Sequence, residues 1–281
     1  MDYFRRLTES SSVLRLVIRT IEAFIRDECT LRAAAIAYYA LFSLFPMVLA
    51  LVAIFSTVVE PAEVQGRIVE MVTGYLPGSA WLVEQTIKDV LAARGPVGIV
   101  AVLGFIWSGL AVFTAIRRSL NRAWGVERQP PFIEQKLVEL AMPGAMGGLL
   151  ALSLASTSLL RVLSNIELPT GVTLDGGLLW DIALIIPFFF SFALFALAFR
   201  FIPNAAVRWG DVWPGAAVAA VGFEAGKFIF GWYVQNLGNY NLVYGSLGTI
   251  IVLLLWSYIS ASILLFGAEL SSQYAQLKRE K

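Results

Sequence analysis

Apolar residues gather into long runs separated by short polar stretches. Runs of about 20 residues, the length needed to cross the hydrocarbon core of a bilayer as a helix, fall near 33–59, 97–116, 137–160, 178–202, 212–234 and 246–270. The pattern predicts an all-α membrane bundle of six transmembrane helices in a single domain, with 271–281 as a tail. Before the first run, residues 13–28 repeat with helical period. Arg15, Arg19, Glu22 and Arg26 form one stripe, and Leu14, Val17, Ile18, Ile21 and Ile25 another. This predicts an amphipathic helix on the cytoplasmic face of the membrane, within a cytoplasmic segment 1–32, held either by lipid headgroups or by packing beneath the bundle. Two shorter periodic stretches, 64–75 and 81–91, flank a Pro-Gly break in the loop 60–96 and predict two surface helices, either a lid or caps on the spans.

Composition supports this reading: 58% hydrophobic residues, 15% charged and a mean hydropathy of +0.73 exclude an ordinary water-soluble domain. The cations are unevenly shared. Sixteen of the 21 Lys and Arg residues fall on the side of the two chain ends and four on the other, so the positive-inside rule places both ends in the cytoplasm. The first apolar run starts too late and is too long for a signal-peptide core, so no cleavable signal is expected. A net charge of +1 gives no reason to expect a nucleic-acid partner. Membrane lipids and a transported substrate are the expected partners, and homo-oligomerisation is left open.

The remaining Lys, Lys227, lies with Glu224 near the middle of the fifth run. A charge at a helix centre in lipid costs about 2.5–3.5 kcal/mol on insertion scales, so each needs a partner or a wet cavity. Three residues apart on a helix, the two can pair. Either they neutralise each other as a structural contact, or they line a hydrated path for a proton or a substrate. Gly222 and Gly226 beside them, like Gly144 and Gly148 in the third run, have the spacing that lets helices approach closely. Pro46 and Pro187 lie deep in their runs and free a carbonyl each, whereas Pro214 is read as near the start of its helix and cheap.

Glu269 closes the sixth run, where a carboxylate opposes the helix dipole. An ion pair with Arg32, Arg117 or Arg118 is expected, as a structural bond or a cytoplasmic gate. The uncharged stretch 235–246 offers Asn236, Asn239, Tyr240, Asn241 and Tyr244 as an outer polar rim. With Trp232 and Tyr233, its tyrosines can equally form an interfacial aromatic belt. Histidine is absent, which removes His-based zinc sites and Ser-His-Asp or Cys-His catalysis. No phosphate-binding glycine loop occurs. No catalytic residue, metal or cofactor is expected. The only cysteine, Cys29, is read as a reduced apolar filler.

The segments LRAAAIAYYALFSLFP at 31–46, AIRRSLNRAW at 115–124, YGSLG at 244–248, LWSY at 255–258 and LFGAEL at 265–270 resemble the YihY/BrkB family of bacterial inner-membrane proteins. The resemblance extends from about residue 15 to 272 and implies a six-helix cytoplasmic-membrane protein. Members have carried the labels virulence factor BrkB and ribonuclease BN. A chain without histidine and without room for a soluble catalytic domain is not expected to be a ribonuclease. The expected function is transport of a lipid, another amphiphile or a small polar metabolite, with an envelope scaffold as the alternative.

Overall fold

The computed structural model describes residues 12–55, 96–126, 148–149, 176–237 and 246–280. Among these the chain is all-helical: α1 Ser12–Arg26, α2 Cys29–Phe55, α3 Pro96–Ala123, α4 Gly176–Phe201, α5 Trp209–Leu237 and α6 Ser246–Arg279, with no strand. Two stretches, Trp209–Val234 and Ile250–Arg279, are long and apolar enough to cross a membrane, and Cys29–Leu44 and Ile185–Phe201 are shorter apolar helices. The expected third span, apart from residues 148–149, and the expected surface helices 64–75 and 81–91 lie outside the described residues.

The chain forms two compact units, one of Met1–Arg32, Arg117–Phe228 and Ser262–Lys281, the other of Ala33–Ile116 and Ile229–Ala261. In the second unit, Gly104 of α3 approaches Pro46 of α2, and Phe230 of α5 packs on Trp256 of α6 with ring centroids 5.0 Å apart. The charged candidates all belong to the first unit.

The first unit is organised by an antiparallel contact between α5 and α6. A Cβ added to Gly215 would lie 2.1 Å from the Gly267 carbonyl oxygen and 2.9 Å from the Ser271 amide nitrogen. One added to Gly267 would lie 2.7 Å from the Ala219 Cβ and 2.8 Å from the Gly215 carbonyl oxygen. Further along, Gly222 meets Ile263 at an ordinary 3.4 Å. Gly215 and Ala219, like Gly267 and Ser271, are small residues four apart, so each helix offers a flat strip to the other. The Ser271 hydroxyl adds a bond across the contact, donating to the Val212 carbonyl at 3.1 Å. Gly222 was expected to mark the close approach of a neighbouring helix; the tightest point lies two turns earlier, at Gly215. Around it Phe199, Ile202, Val212, Ala216, Ala220 and Leu265 are completely enclosed, and Phe195 meets Phe223 edge-on at 5.8 Å.

Several helix ends differ from the apolar runs. The sixth run was expected to end near residue 270, but α6 continues through Arg279 with Ser271, Ser272 and Gln273 buried, because polar residues there still pack against protein. Pro214 is the sixth residue of α5, not a first-turn residue, since Trp209 starts the helix before the apolar run. It therefore withholds an amide from the Gly210 carbonyl. α3 ends in a Schellman motif. Gly125, at φ 63°, donates to the Arg122 carbonyl, and Val126 donates to that of Asn121.

α1 has the expected helical span and meets the protein through small residues, with most of its apolar stripe exposed. Thr20 and Ala23 are buried, whereas Val13, Leu14, Val17, Ile21 and Ile25 are exposed, Ile25 by 71%. Small residues turn inward because they allow close approach, and the Thr20 hydroxyl satisfies itself on the Leu16 carbonyl at 2.8 Å. Phe24 supplies a T-shaped contact to Phe266 of α6. At the far end Arg19 bonds Glu280 at 2.8 Å.

Replacing Gly215 by Ala should lower thermal stability by about 1–3 kcal/mol or more, because backbone atoms of α6 cannot step aside. Gly222→Ala should cost less, since the Ile263 side chain can turn. Gly231→Ala, with nothing within 4 Å of the new carbon, should be neutral or slightly stabilising. Thermal unfolding of the three variants in detergent checks the order.

Candidate functional site

Two charged constellations stand in the first unit. Glu224 and Lys227 form the pair that their helical spacing allows, Nζ to Oε2 at 2.8 Å, with side chains 14% and 10% exposed. Their surroundings complete the arrangement. The Ser191 hydroxyl of α4 donates to Glu224 Oε1, and the Lys227 ammonium lies 5.4 Å from the centre of the Phe223 ring. Glu224 thus accepts from two donors on two helices, while the aromatic face offers Lys227 a weakly polar neighbour of the right sign. Chemically this is a salt bridge within one helical turn, each of whose ions has a further neighbour in a hydroxyl or a ring.

The second constellation surrounds Asp27, in the turn between α1 and α2. The turn holds Glu28 at φ 51°, an uncommon conformation for a residue with a side chain, costing about 1–2 kcal/mol. What it achieves is placement: Asp27 turns inward, and Cys29 opens α2 facing α6. Backbone bonds from Asp27 to the Ala23 carbonyl at 2.9 Å and from Arg32 to the Glu28 carbonyl at 3.1 Å fix the turn. The Asp27 carboxylate, only 5% exposed, receives Arg122 at 3.0 Å on Oδ1 and Arg26 at 3.2 Å on Oδ2. Arg32 donates to the Asp27 carbonyl at 2.8 Å. The hydrogen bond and charge of Asp27 raise the Arg26 guanidinium above its ordinary pKa.

Glu269 was expected to pair with Arg32, Arg117 or Arg118, and among the described residues none of these pairs forms. Arg32 is held by the Asp27 carbonyl, and Arg117, itself buried, donates to Asn204 Oδ1 at 3.0 Å. Arg118 is exposed. Glu269, completely enclosed, accepts instead from the Cys29 thiol, Sγ to Oε1 at 3.6 Å. Arg32 and Glu269 are therefore brought to one cluster through Asp27 and Cys29, whereas Arg117 joins a separate clasp. There the Asn204 amide also donates to Asn121 Oδ1 at 2.7 Å, fastening the end of α3 to the link between α4 and α5. Of the expected outer rim, Asn236 falls in α5, and Asn239, Tyr240, Asn241 and Tyr244 lie outside the described residues.

Asp27, Cys29, Ser191, Arg122, Asn121 and Asn204 were not singled out as site residues from the sequence. Asp27 left one signal, an acid interrupting the amphipathic period just before an apolar helix. For Ser191, an ordinary hydroxyl in an aromatic run, the sequence held none.

These features define the class as an all-helical membrane protein with buried charge. The family model described as virulence factor BrkB matches residues 20–281, and the chain belongs to this family, YihY/BrkB. It is similar to proteins named "UPF0761 membrane protein". One from Legionella pneumophila (strain Corby) is 29% identical over 95% of this chain and 64% of its own length. Another from Alkalilimnicola ehrlichii is 30% identical over 90% and 57%. A third from Aggregatibacter aphrophilus is 27% identical over 92% of each. The chain thus spans less than two thirds of the first two relatives and most of the third. No solved structure matches.

Lys227→Met should destabilise by about 2.5–3.5 kcal/mol, because Glu224 is left charged in an apolar helix, and adding Glu224→Gln should recover most of that loss. Asp27→Asn should cost less, about 1–2 kcal/mol, because Arg26 and Arg122 are more than half exposed and can turn to water. Chemical denaturation of the single and double variants measures both.

From the middle of α1, Arg19 holds the Glu280 carboxyl below its ordinary value of 4.5. Because the folded-state value is the lower one, the contact contributes fully above that ordinary value and is lost as pH falls through the depressed one. Arg19→Ala should return Glu280 to the ordinary range, as carboxyl NMR titration would show.

Proposed function

We propose that this chain is a multi-pass protein of the bacterial cytoplasmic (inner) membrane, with both ends in the cytoplasm, that transports a lipid, another amphiphile or a small polar metabolite past Glu224 and Lys227. The observation that carries this reading is an ion pair in the apolar body of α5 whose side chains retain some exposure. Hydrocarbon alone makes such a pair expensive, and a polar path makes it useful. An anionic group on the substrate can take the place of Glu224 at Lys227, while Ser191 keeps hold of Glu224. The exposed apolar stripe of α1 suits the headgroup region of a leaflet, with the arginine stripe of the same helix drawn to anionic lipid. Nuclease activity is not part of this reading, since the chain holds no histidine.

The same pair supports a second reading, a non-transporting envelope scaffold, because Glu224 is already satisfied by two donors and Lys227 by a carboxylate and a ring. Water access separates the two. In a Cys29→Ser background, which keeps a donor for Glu269, Glu224→Cys and Lys227→Cys are labelled with a membrane-impermeant thiol reagent in intact cells and inverted vesicles. Labelling of either position is expected for transport. Two folded variants unlabelled from both sides would leave the scaffold.

A further inference from the structure

Glu269 is the least compensated charge-bearing group among the described residues. It is completely enclosed, its Oε1 has only the weak thiol donor of Cys29 at 3.6 Å, and its Oε2 has no hydrogen-bond partner. Asp27, itself buried, stands two residues before the Cys29 whose thiol meets Glu269, so the two acids share one enclosed cluster. The guanidinium groups of the cluster have gone to Asp27: Arg122 on Oδ1, Arg26 on Oδ2, Arg32 on its carbonyl.

An ionised Glu269 would set a second buried negative charge beside the first with no cation bonded to it among the described residues, a penalty of several kcal/mol per ion. A proton on Oε2 removes both faults. It abolishes the repulsion, and it turns the unpartnered oxygen into a donor aimed at an anionic acceptor. A carboxylate has about four lone-pair sites, so Asp27 can accept this bond besides the three it receives from the guanidinium groups of Arg26 and Arg122.

We propose that Asp27 and Glu269 form a proton-binding site in which Glu269, as the neutral acid, donates from Oε2 to the Asp27 carboxylate and accepts from the Cys29 thiol on Oε1. Binding takes one proton from water and makes one O–H bond; release returns that proton to water and leaves two carboxylates. The groups facing Glu269 are then Asp27, Cys29 and Arg26, and Arg26, whose side chain is 65% exposed, is the cation able to swing toward the new charge. Because Asp27 follows α1 and Glu269 lies on α6, the state of this proton reports on the contact between the two helices. The inference stands whether or not the chain transports a substrate.

Infrared spectroscopy of the full-length chain in detergent tests it. The wild type at neutral pH should show a carboxylic-acid C=O stretch that is lost in Glu269→Gln and unchanged in Glu224→Gln. Cys29→Ala should keep the band but shift its frequency, because one hydrogen bond to the same carboxyl is gone; this variant serves if Glu269→Gln fails to fold. The absence of an acid band in the wild type at neutral pH would overturn the proposal, as would a band that neither Glu269→Gln nor Cys29→Ala alters. Loss of the band on adding sodium or potassium ions would overturn it in favour of a metal cation between the carboxylates.

Discussion

The backbone of α5 lies directly against that of α6 at Gly215 and Gly267, and the arrangement of the first unit depends on that contact. Between apolar helices in a bilayer, lipid tails compete on equal terms with side chains, so association rests on close packing and a few interhelical hydrogen bonds. Both are present here: small residues at four-residue spacing on each helix, and Ser271 donating to the Val212 carbonyl. The contact also fixes what lies beside it. Glu269 sits two residues from Gly267, and the next turn carries Ser271 and Ser272 into the interior. Asp211, buried in the first turn of α5 where the helix dipole favours an acid, comes within 3.7 Å of Lys278.

With the helices set, the charges are handled in three ways. Asp27 takes two guanidinium groups whose outer portions remain in contact with open space, so much of the desolvation falls on one partner only. Glu224 takes an ammonium from its own helix and a hydroxyl from the next, an arrangement in which both ions are largely enclosed and removal of either strands the other. Among the described residues Glu269 is bonded by no cation and only by a thiol. The strained turn at Glu28 connects the first of these to the third, because it aims Asp27 inward while delivering Cys29 to Glu269. A strained backbone conformation persists only where its surroundings over-determine it, and here the bonds made by Asp27 and Arg32 do so.

Whatever depended on neighbours along the chain was legible in the sequence. Apolar runs and the 3.6-residue period gave the helical class and the extent of α1, and the interval of three residues gave the Glu224–Lys227 pair, since one helical turn brings such side chains together whatever surrounds them. The family was legible too, from short segments spread along the chain. What the period could not give was the direction in which a face points. The apolar stripe of α1 suits lipid or protein alike, and the helix packs on the protein through Thr20 and Ala23 because depth of approach favours small side chains.

Partners far apart in the chain were decided by tertiary structure alone. Cys29 and Glu269 are 240 residues apart, Arg122 and Asp27 95, and Asn204 and Asn121 83. Any of several arginines could have met Glu269 as far as spacing goes. Among the described residues none is bonded to it, because Asp27, not visible as a hub, holds Arg26, Arg32 and Arg122. The sequence by itself determined the helices, their apolar character and the pair within one turn, because local geometry and hydrophobicity act over a few residues. Tertiary structure decided that Gly215 rather than Gly222 marks the closest approach, and that Glu269 meets a thiol and a carboxylate instead of a guanidinium, because packing of whole helices selects those neighbours.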